Sequence, residues 1–375
     1  ASDMPGPVGF YVGQVRVSTA PGSMVRDRDD VTHVLVAAEN YADGYVYLTR
    51  AHDSTTWTSA DVGVEPGLDP VKLGVSNDGS RVYGALDCAA MDASLKRGTF
   101  TLLSVPVTAP GPAHSHGVAS TDCGEGNDPP CSQACYQTAG LFGDGHGGLL
   151  AIVHKTNDGP TTSTILVVRS PADLSRSTAH LLPRQGPGHW AGVAATRDAR
   201  TGALVVAAGR PERGVFVWTK LPDARWRGPV RAIPGAWTTG RREPLANVTV
   251  AAAGGRIWIG LSGDDCCGGT PGGAFVAGRS AGGRWAAPRR LPQTGLHADT
   301  LLLVADAPHH KLQALWNVSH NRTGRASDGL WHGVKRFGRP WQAPRQLTAW
   351  FRDRPVDLVT TTTGGYRYSF SRSSA

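Results

Sequence analysis

The side chains able to do chemistry fall in short charged segments between apolar runs. Glu243 directly follows Arg241 and Arg242, and Asp264 and Asp265 directly precede the adjacent cysteines Cys266 and Cys267. Two carboxyl groups across a glycosidic bond suffice to hydrolyse it: one protonates the leaving oxygen, and the other acts as base or nucleophile. Glu243 and Asp264 are the candidate pair, with His189 and Tyr366 as further catalytic candidates. A guanidinium grips a carboxylate through two parallel hydrogen bonds, so Arg241, Arg352 and Arg322 form a candidate clamp for an acidic substrate. His320 and His297 would add polar contacts. Trp190, and Cys266 and Cys267 if bridged to each other, would offer flat apolar surfaces for a sugar ring. Plain structural roles compete with each assignment. Glu243 could pair with its neighbouring arginines, His189 could bond at a core edge, Asp264 and Asp265 could brace a turn, and Tyr366 or Tyr368 could pack between sheets.

The elements that must carry these residues repeat. A glycine followed by an aromatic or apolar strand recurs as Gly9-Phe-Tyr-Val-Gly, Gly44-Tyr-Val-Tyr-Leu, Gly98-Thr-Phe-Thr-Leu, Gly214-Val-Phe-Val-Trp, Gly273-Ala-Phe-Val-Ala and Gly329-Leu-Trp-His-Gly. Several of these are followed by a Trp-x-x-Pro strand ending, at Trp226/Pro229, Trp285/Pro288 and Trp341/Pro344. Paired strands joined by a tight turn precede them, as at Asn77-Asp-Gly, a hairpin signal. Four strands, A to D, therefore make one unit. First strands are expected near residues 22, 70, 138, 190, 247, 299 and 356, a spacing of about fifty that suits propeller blades. The reading is an all-β propeller of seven four-stranded blades in a single domain, 1–375. Strands at 356–362 and 366–372 would share the closing blade with a strand at 9–16; six blades is the alternative.

Strand alternation sends the D–A and B–C connections to one face and the A–B and C–D turns to the other. The first set collects the His, Arg, carboxylate and aromatic residues, including His154 and Lys155. The second receives mostly Asn-Asp-Gly, Thr-Gly and Gly-Gly turns. Loops that differ from blade to blade point to one composite site rather than a repeated one.

Composition narrows the partners. The net charge is +8 and the basic residues are overwhelmingly arginine. They are scattered rather than gathered into a stripe, which argues against nucleic acid and for an anionic poly- or oligosaccharide. No apolar run reaches the roughly 18 residues of a membrane span. The six cysteines and the Ala-Ser-Asp-Met-Pro-Gly start suit a secreted, oxidised protein. No cofactor is implied. Asp144-Gly-His146 and the loop carboxylates would allow a structural calcium, without EF-hand spacing.

The A–B–C–D pattern with Trp-x-x-Pro resembles the sialidase-like, BNR-repeat β-propellers, and His52-Asp53-Ser54-Thr55-Thr56-Trp57 echoes their Asp-box, Ser-x-Asp-x-Gly-x-Thr-Trp. The resemblance implies a Tyr nucleophile assisted by Glu, which Tyr366 or Tyr368 and Glu243 would supply. It also implies carbohydrate chemistry, most directly a glycoside hydrolase acting on an acidic extracellular glycan. The alternatives are a polysaccharide lyase, in which Arg neutralises a uronate and His189, His154 or a Tyr takes the proton, and a non-catalytic glycan-binding propeller.

Overall fold

The computed structural model describes residues 11–12, 15–16, 23–37, 45–54, 56–61, 70–86, 97–108, 110, 114–122, 136–156, 163–211, 213–235, 247–264, 273–294, 297–298, 300–319, 326–350 and 353–372. The fold is an all-β propeller, and among the described residues no helix is long and apolar enough to cross a membrane. The chain divides into two compact units, Ala1–Gly188 and His189–Ala375.

In the first unit β1 (Tyr11–Val12) and β2 (Val15–Arg16) form a small hairpin. Three blades follow. They are β3 (Ser23–Arg26), β4 (Thr32–Ala37), β5 (Tyr45–Arg50) and β6 (Thr58–Asp61); then β7 (Pro70–Val75), β8 (Arg81–Leu86), β9 (Arg97–Pro106) and β10 (His114–Asp122); then β11 (Tyr136–Gly143), β12 (Leu149–Thr156), β13 (Ser163–Ser170) and β14 (Thr178–Leu181).

In the second unit blade 4 is β15 (Gly192–Arg197), β16 (Leu204–Arg210), β17 (Gly214–Lys220) and β18 (Arg227–Pro234). Blade 5 is β19 (Asn247–Ala253), β20 (Arg256–Asp264), β21 (Gly273–Arg279) and β22 (Arg289–Arg290), with β23 (His297–Ala298) added to the end of β20. Blade 6 is β24 (Leu301–Asp306), β25 (Lys311–Val318), β26 (Gly329–Arg336) and β27 (Arg345–Gln346). A two-stranded sheet, β28 (Asp353–Thr360) and β29 (Tyr366–Arg372), ends the chain.

Among the described residues six blades form, the alternative to the expected seven, five of them four-stranded and blade 5 carrying β23 as a fifth strand. The C-terminal pair forms as anticipated, but among the described residues it has two strands. Where it is described, the expected N-terminal strand forms a hairpin, Tyr11 opposite Arg16 and Val12 opposite Val15.

Burial explains the sequence pattern. Second and third strands are covered on both faces, so β16 and β25 are almost continuously buried, whereas the outermost β14 is exposed throughout. Apolar side chains of successive blades meet in layers, such as Val205, Val217, Val250 and Ile259 between blades 4 and 5, and Ala251, Trp258, Leu303 and Trp316 between blades 5 and 6. The recurrent glycine opens the third strand. Gly214, Gly273 and Gly329 have φ of 101°, 110° and 115°, a region in which side chains are strained. A Cβ on Gly214 would also fall on the Ile233 carbonyl of the fourth strand.

The Trp-x-x-Pro motif opens the fourth strand rather than ending it, because Trp226, Trp285 and Trp341 immediately follow the third-to-fourth turn. The half-buried rings of Trp57, Trp285 and Trp341 lie beneath Arg50, Arg279 and Lys335 at 5.4, 5.4 and 5.3 Å. The A–B turns are braced by carboxylates that accept backbone N–H groups. Asp27 Oδ1 takes Asp29 and Val31, Asp144 Oδ1 takes His146 and Gly148, and Asp198 Oδ1 takes Arg200 and Thr201. Asp198 Oδ2 reaches across to the Gly255 N–H of blade 5 at 2.7 Å.

Candidate functional site

At the end of blade 4 where its B–C and D–A connections meet, the described chain brings together His189, Trp190, Arg210 and Arg213. Ala191 N–H donates to the Gly209 carbonyl, and the ladder continues through Gly192 opposite Gly209. This pins His189 and Trp190 beside the end of β16. Arg210 closes β16 and pairs with Gly214, leaving a tight turn in which Arg213 N–H donates to the Arg210 carbonyl. The two guanidinium groups therefore share one small surface. Burial lowers the Arg210 pKa, and the like charge of Arg213 lowers it further. His189 is half-buried, its Nδ1 has no hydrogen-bond partner among the described residues, and desolvation lowers its pKa. The result is two neighbouring cations at the blade end whose backbone ladder begins just after His189.

Trp190 is placed in this cluster but does not offer a stacking surface. It is 1% exposed, meets Phe216 and Trp218 edge-on at 6.0 and 5.5 Å, and is covered by Arg210 at 5.3 Å. It is a core aromatic that supports Arg210 from below.

The backbone brings two other expected residues together. Asp264, the last residue of β20, lies opposite His297 of β23 in the ladder. Tyr366 lies elsewhere in the same unit. It opens β29 opposite Thr360, at the A–B turn, whereas Asp264 stands at the other end of its own second strand. Its ring stacks on His332 at 3.7 Å and leans on Tyr368 at 6.1 Å, and burial pushes its hydroxyl pKa up, with Arg345 opposing. Packing against blade 6 is the role its surroundings give it. Glu243, Arg241, Arg322, His320, Arg352, Cys266 and Cys267 lie outside the described residues.

Sequence reasoning missed Arg210 and Arg213. The signal was available: Arg210-Pro-Glu-Arg-Gly214 is the B–C turn of blade 4, shorter than the other B–C connections and so easily passed over. It also missed two buried histidine networks. His33 Nδ1 meets the Tyr47 hydroxyl at 2.6 Å and its Nε2 meets Asp27 Oδ2 at 3.0 Å, with the imidazole fully buried. His332 Nε2 meets Gln313 Oε1 at 3.1 Å, while Gln313 Nε2 donates to the Gly365 carbonyl. Neither reaches solvent, so both fix strands rather than touch a ligand. Asp144, considered for calcium, has one oxygen committed to its own turn. Asn317, which begins a glycosylation sequon, is 1% exposed and accepts from Thr300 N–H.

No protein-family model matches this sequence, and no curated protein matches it. Solved structures do resemble the fold. A lectin, BP39L from Burkholderia pseudomallei, is 15% identical with a TM-score of 0.58 over 91% of this chain and 89% of its own. A polysaccharide lyase, a PL25 ulvan lyase bound to a glucuronate–rhamnose-3-sulfate repeat, is 10% identical with a TM-score of 0.52 over 87% and 81%. Trypanosoma rangeli sialidase is 11% identical with a TM-score of 0.47 over 80% and 52%. The first two likenesses establish the β-propeller fold.

Proposed function

We propose that this chain is a secreted, carbohydrate-active propeller for an acidic extracellular glycan, and that Arg210 and Arg213 hold the glycan's carboxylate with His189 beside it. The observation that carries this reading is the pairing of the Arg210 and Arg213 guanidinium groups at the blade end where His189 leads into β15. Paired arginines suit a carboxylate or sulfate better than a neutral sugar. The structural likeness to a lectin and to a lyase bound to a glucuronate-containing repeat supports carbohydrate as the ligand class.

Of the chemistries open to such a site, elimination suits the described residues best. Neutralising a uronate carboxylate acidifies its C5–H. His189 takes that proton through Nε2, its Nδ1 being buried; the C4–O bond breaks with its electron pair on the leaving oxygen, which is protonated by water, and a C4–C5 double bond forms. Hydrolysis is the second reading. It would draw on Glu243 and Asp264, and the pairing of Asp264 with His297 favours it by placing both at the corresponding end of blade 5.

The test is a panel of acidic and neutral polysaccharides, followed by reducing ends and by ultraviolet absorbance together. Elimination predicts both signals on a uronate polymer, and their loss in His189→Ala. Reducing ends without absorbance would transfer the chemistry to Glu243 and Asp264. Binding without either signal would make the protein a lectin. Equal binding of neutral and acidic polymers would overturn the carboxylate clamp.

A further inference from the structure

The two units differ sharply in surface charge. Among the described residues of the first unit, four exposed arginines are matched by four exposed aspartates, Asp29, Asp53, Asp78 and Asp173. Among those of the second unit, eleven arginines are exposed against one exposed acidic residue, Asp223. Most of these arginines sit on the outermost strands and the turns before them, as Arg227 and Arg231 on β18, Arg289 and Arg290 on β22, and Arg339 and Arg345 at and before β27.

The placement repeats from blade to blade. Arg231 pairs with Phe216 and Arg290 with Phe275, while Arg289 and Arg345 stand opposite Val276 and His332. Neighbouring blades feel one another's charge. Burial lowers the Lys335 pKa on blade 6, and Arg289 of blade 5 lowers it further. Exposed cations outnumber exposed acids among the described residues of this unit, so its surface favours a polyanion.

We propose that the outer strands of blades 4, 5 and 6 form a second binding surface, separate from the blade 4 end, that holds a linear carboxylated or sulfated polysaccharide. The choice of polymer rests on the acidic-glycan reading above. It is also supported by what the surface lacks. Single-stranded nucleic acid needs open aromatic platforms. Here Phe275 is buried beneath Arg290 at 5.2 Å and Trp341 lies beneath Lys335, and no aromatic ring among the described residues is fully exposed. A surface of this kind would keep a long chain near the blade 4 end by adding weak contacts along its length.

The test uses the full chain on immobilised heparin and on polygalacturonate, with dextran and a short DNA duplex for comparison. Wild type should bind both acidic polymers at low salt and not dextran. A variant carrying Arg227→Ser, Arg231→Ser, Arg289→Ser and Arg290→Ser should bind them about tenfold more weakly, with a shallower dependence on salt. Arg169→Ser with Arg176→Ser, two exposed residues of the first unit, should change little. The fourfold variant should still bind a uronate trisaccharide as wild type does, which separates failure here from failure of the site reading. Unchanged retention in the fourfold variant, equal loss in the first-unit variant, or absence of retention by wild type would overturn the proposal. Tighter, equally arginine-dependent binding of the duplex would overturn the choice of polysaccharide.

Discussion

Acid should loosen the second unit through one histidine. His332 is 8% exposed, its Nε2–H donates to Gln313 Oε1, and its ring stacks on Tyr366 at 3.7 Å. Burial, helped by Arg345 across the strand pair, lowers its pKa from 6.5 to about 4. Between those values the unfolded chain binds a proton that the folded chain refuses, so stability falls as pH falls. The full contribution is present above pH 6.5, drains away toward pH 4, and changes no further below it. Working the linkage from these two values gives a loss of about 2 kcal/mol at pH 5 relative to pH 7, and about 3 kcal/mol at pH 4. Urea unfolding followed by tryptophan fluorescence would read it, since Trp57 is the one tryptophan outside the second unit. His332→Gln keeps a polar partner for Gln313 and removes the titration. The quantity to compare is each protein's change between pH 7 and pH 5, so that other histidines cancel. Wild type should lose about 2 kcal/mol more than the variant over that range. The same pH dependence in both would refute the reasoning.

Two packing predictions follow from the same unit. Asp198→Ala strands the N–H groups of Arg200, Thr201 and Gly255 and should cost about 2–4 kcal/mol in urea unfolding; a loss below about 0.5 kcal/mol would show that the turn does not need its carboxylate. Gly260→Ala would set a methyl group 2.5 Å from Thr249 Cγ2 and 2.6 Å from Leu301 Cδ2 between blades 5 and 6. It should cost about 1–3 kcal/mol, and an unchanged melting temperature would contradict the tight layer.

The blade repeat was legible because its causes are local. A glycine with positive φ opens the third strand at Gly214, Gly273 and Gly329, and a carbonyl in or just past the fourth strand lies against Gly214 and Gly329, so the three mark equivalent positions. Trp226, Trp285 and Trp341 were equally visible, but their place at the start rather than the end of the fourth strand depends on a turn that sequence spacing leaves free. The number of blades was left between seven and six because the pairing partner of an edge strand is a long-range choice: the run at 9–16 reads the same whether it joins a closing blade or opens a blade of its own. The site was legible in part. In the proposed site, His189 stood out by its position before β15, while Arg210 and Arg213 are neighbours only because a hairpin brings residues flanking β16 and β17 side by side. Trp190 was chosen as an aromatic beside a histidine, and nothing local distinguishes a ring that faces a sugar from one packed on Phe216 and Trp218.

The central claim is that the blade 4 end grips a carboxylate. Calorimetric titration with a uronate trisaccharide, and with the same trisaccharide after its carboxyl groups are reduced to alcohols, tests it most directly. Wild type should bind the acidic form at least tenfold more tightly, and Arg210→Ala with Arg213→Ala should remove that preference while leaving the folded spectrum unchanged. Equal affinity for the two sugars in wild type, or an undiminished preference in the double variant, would contradict the account.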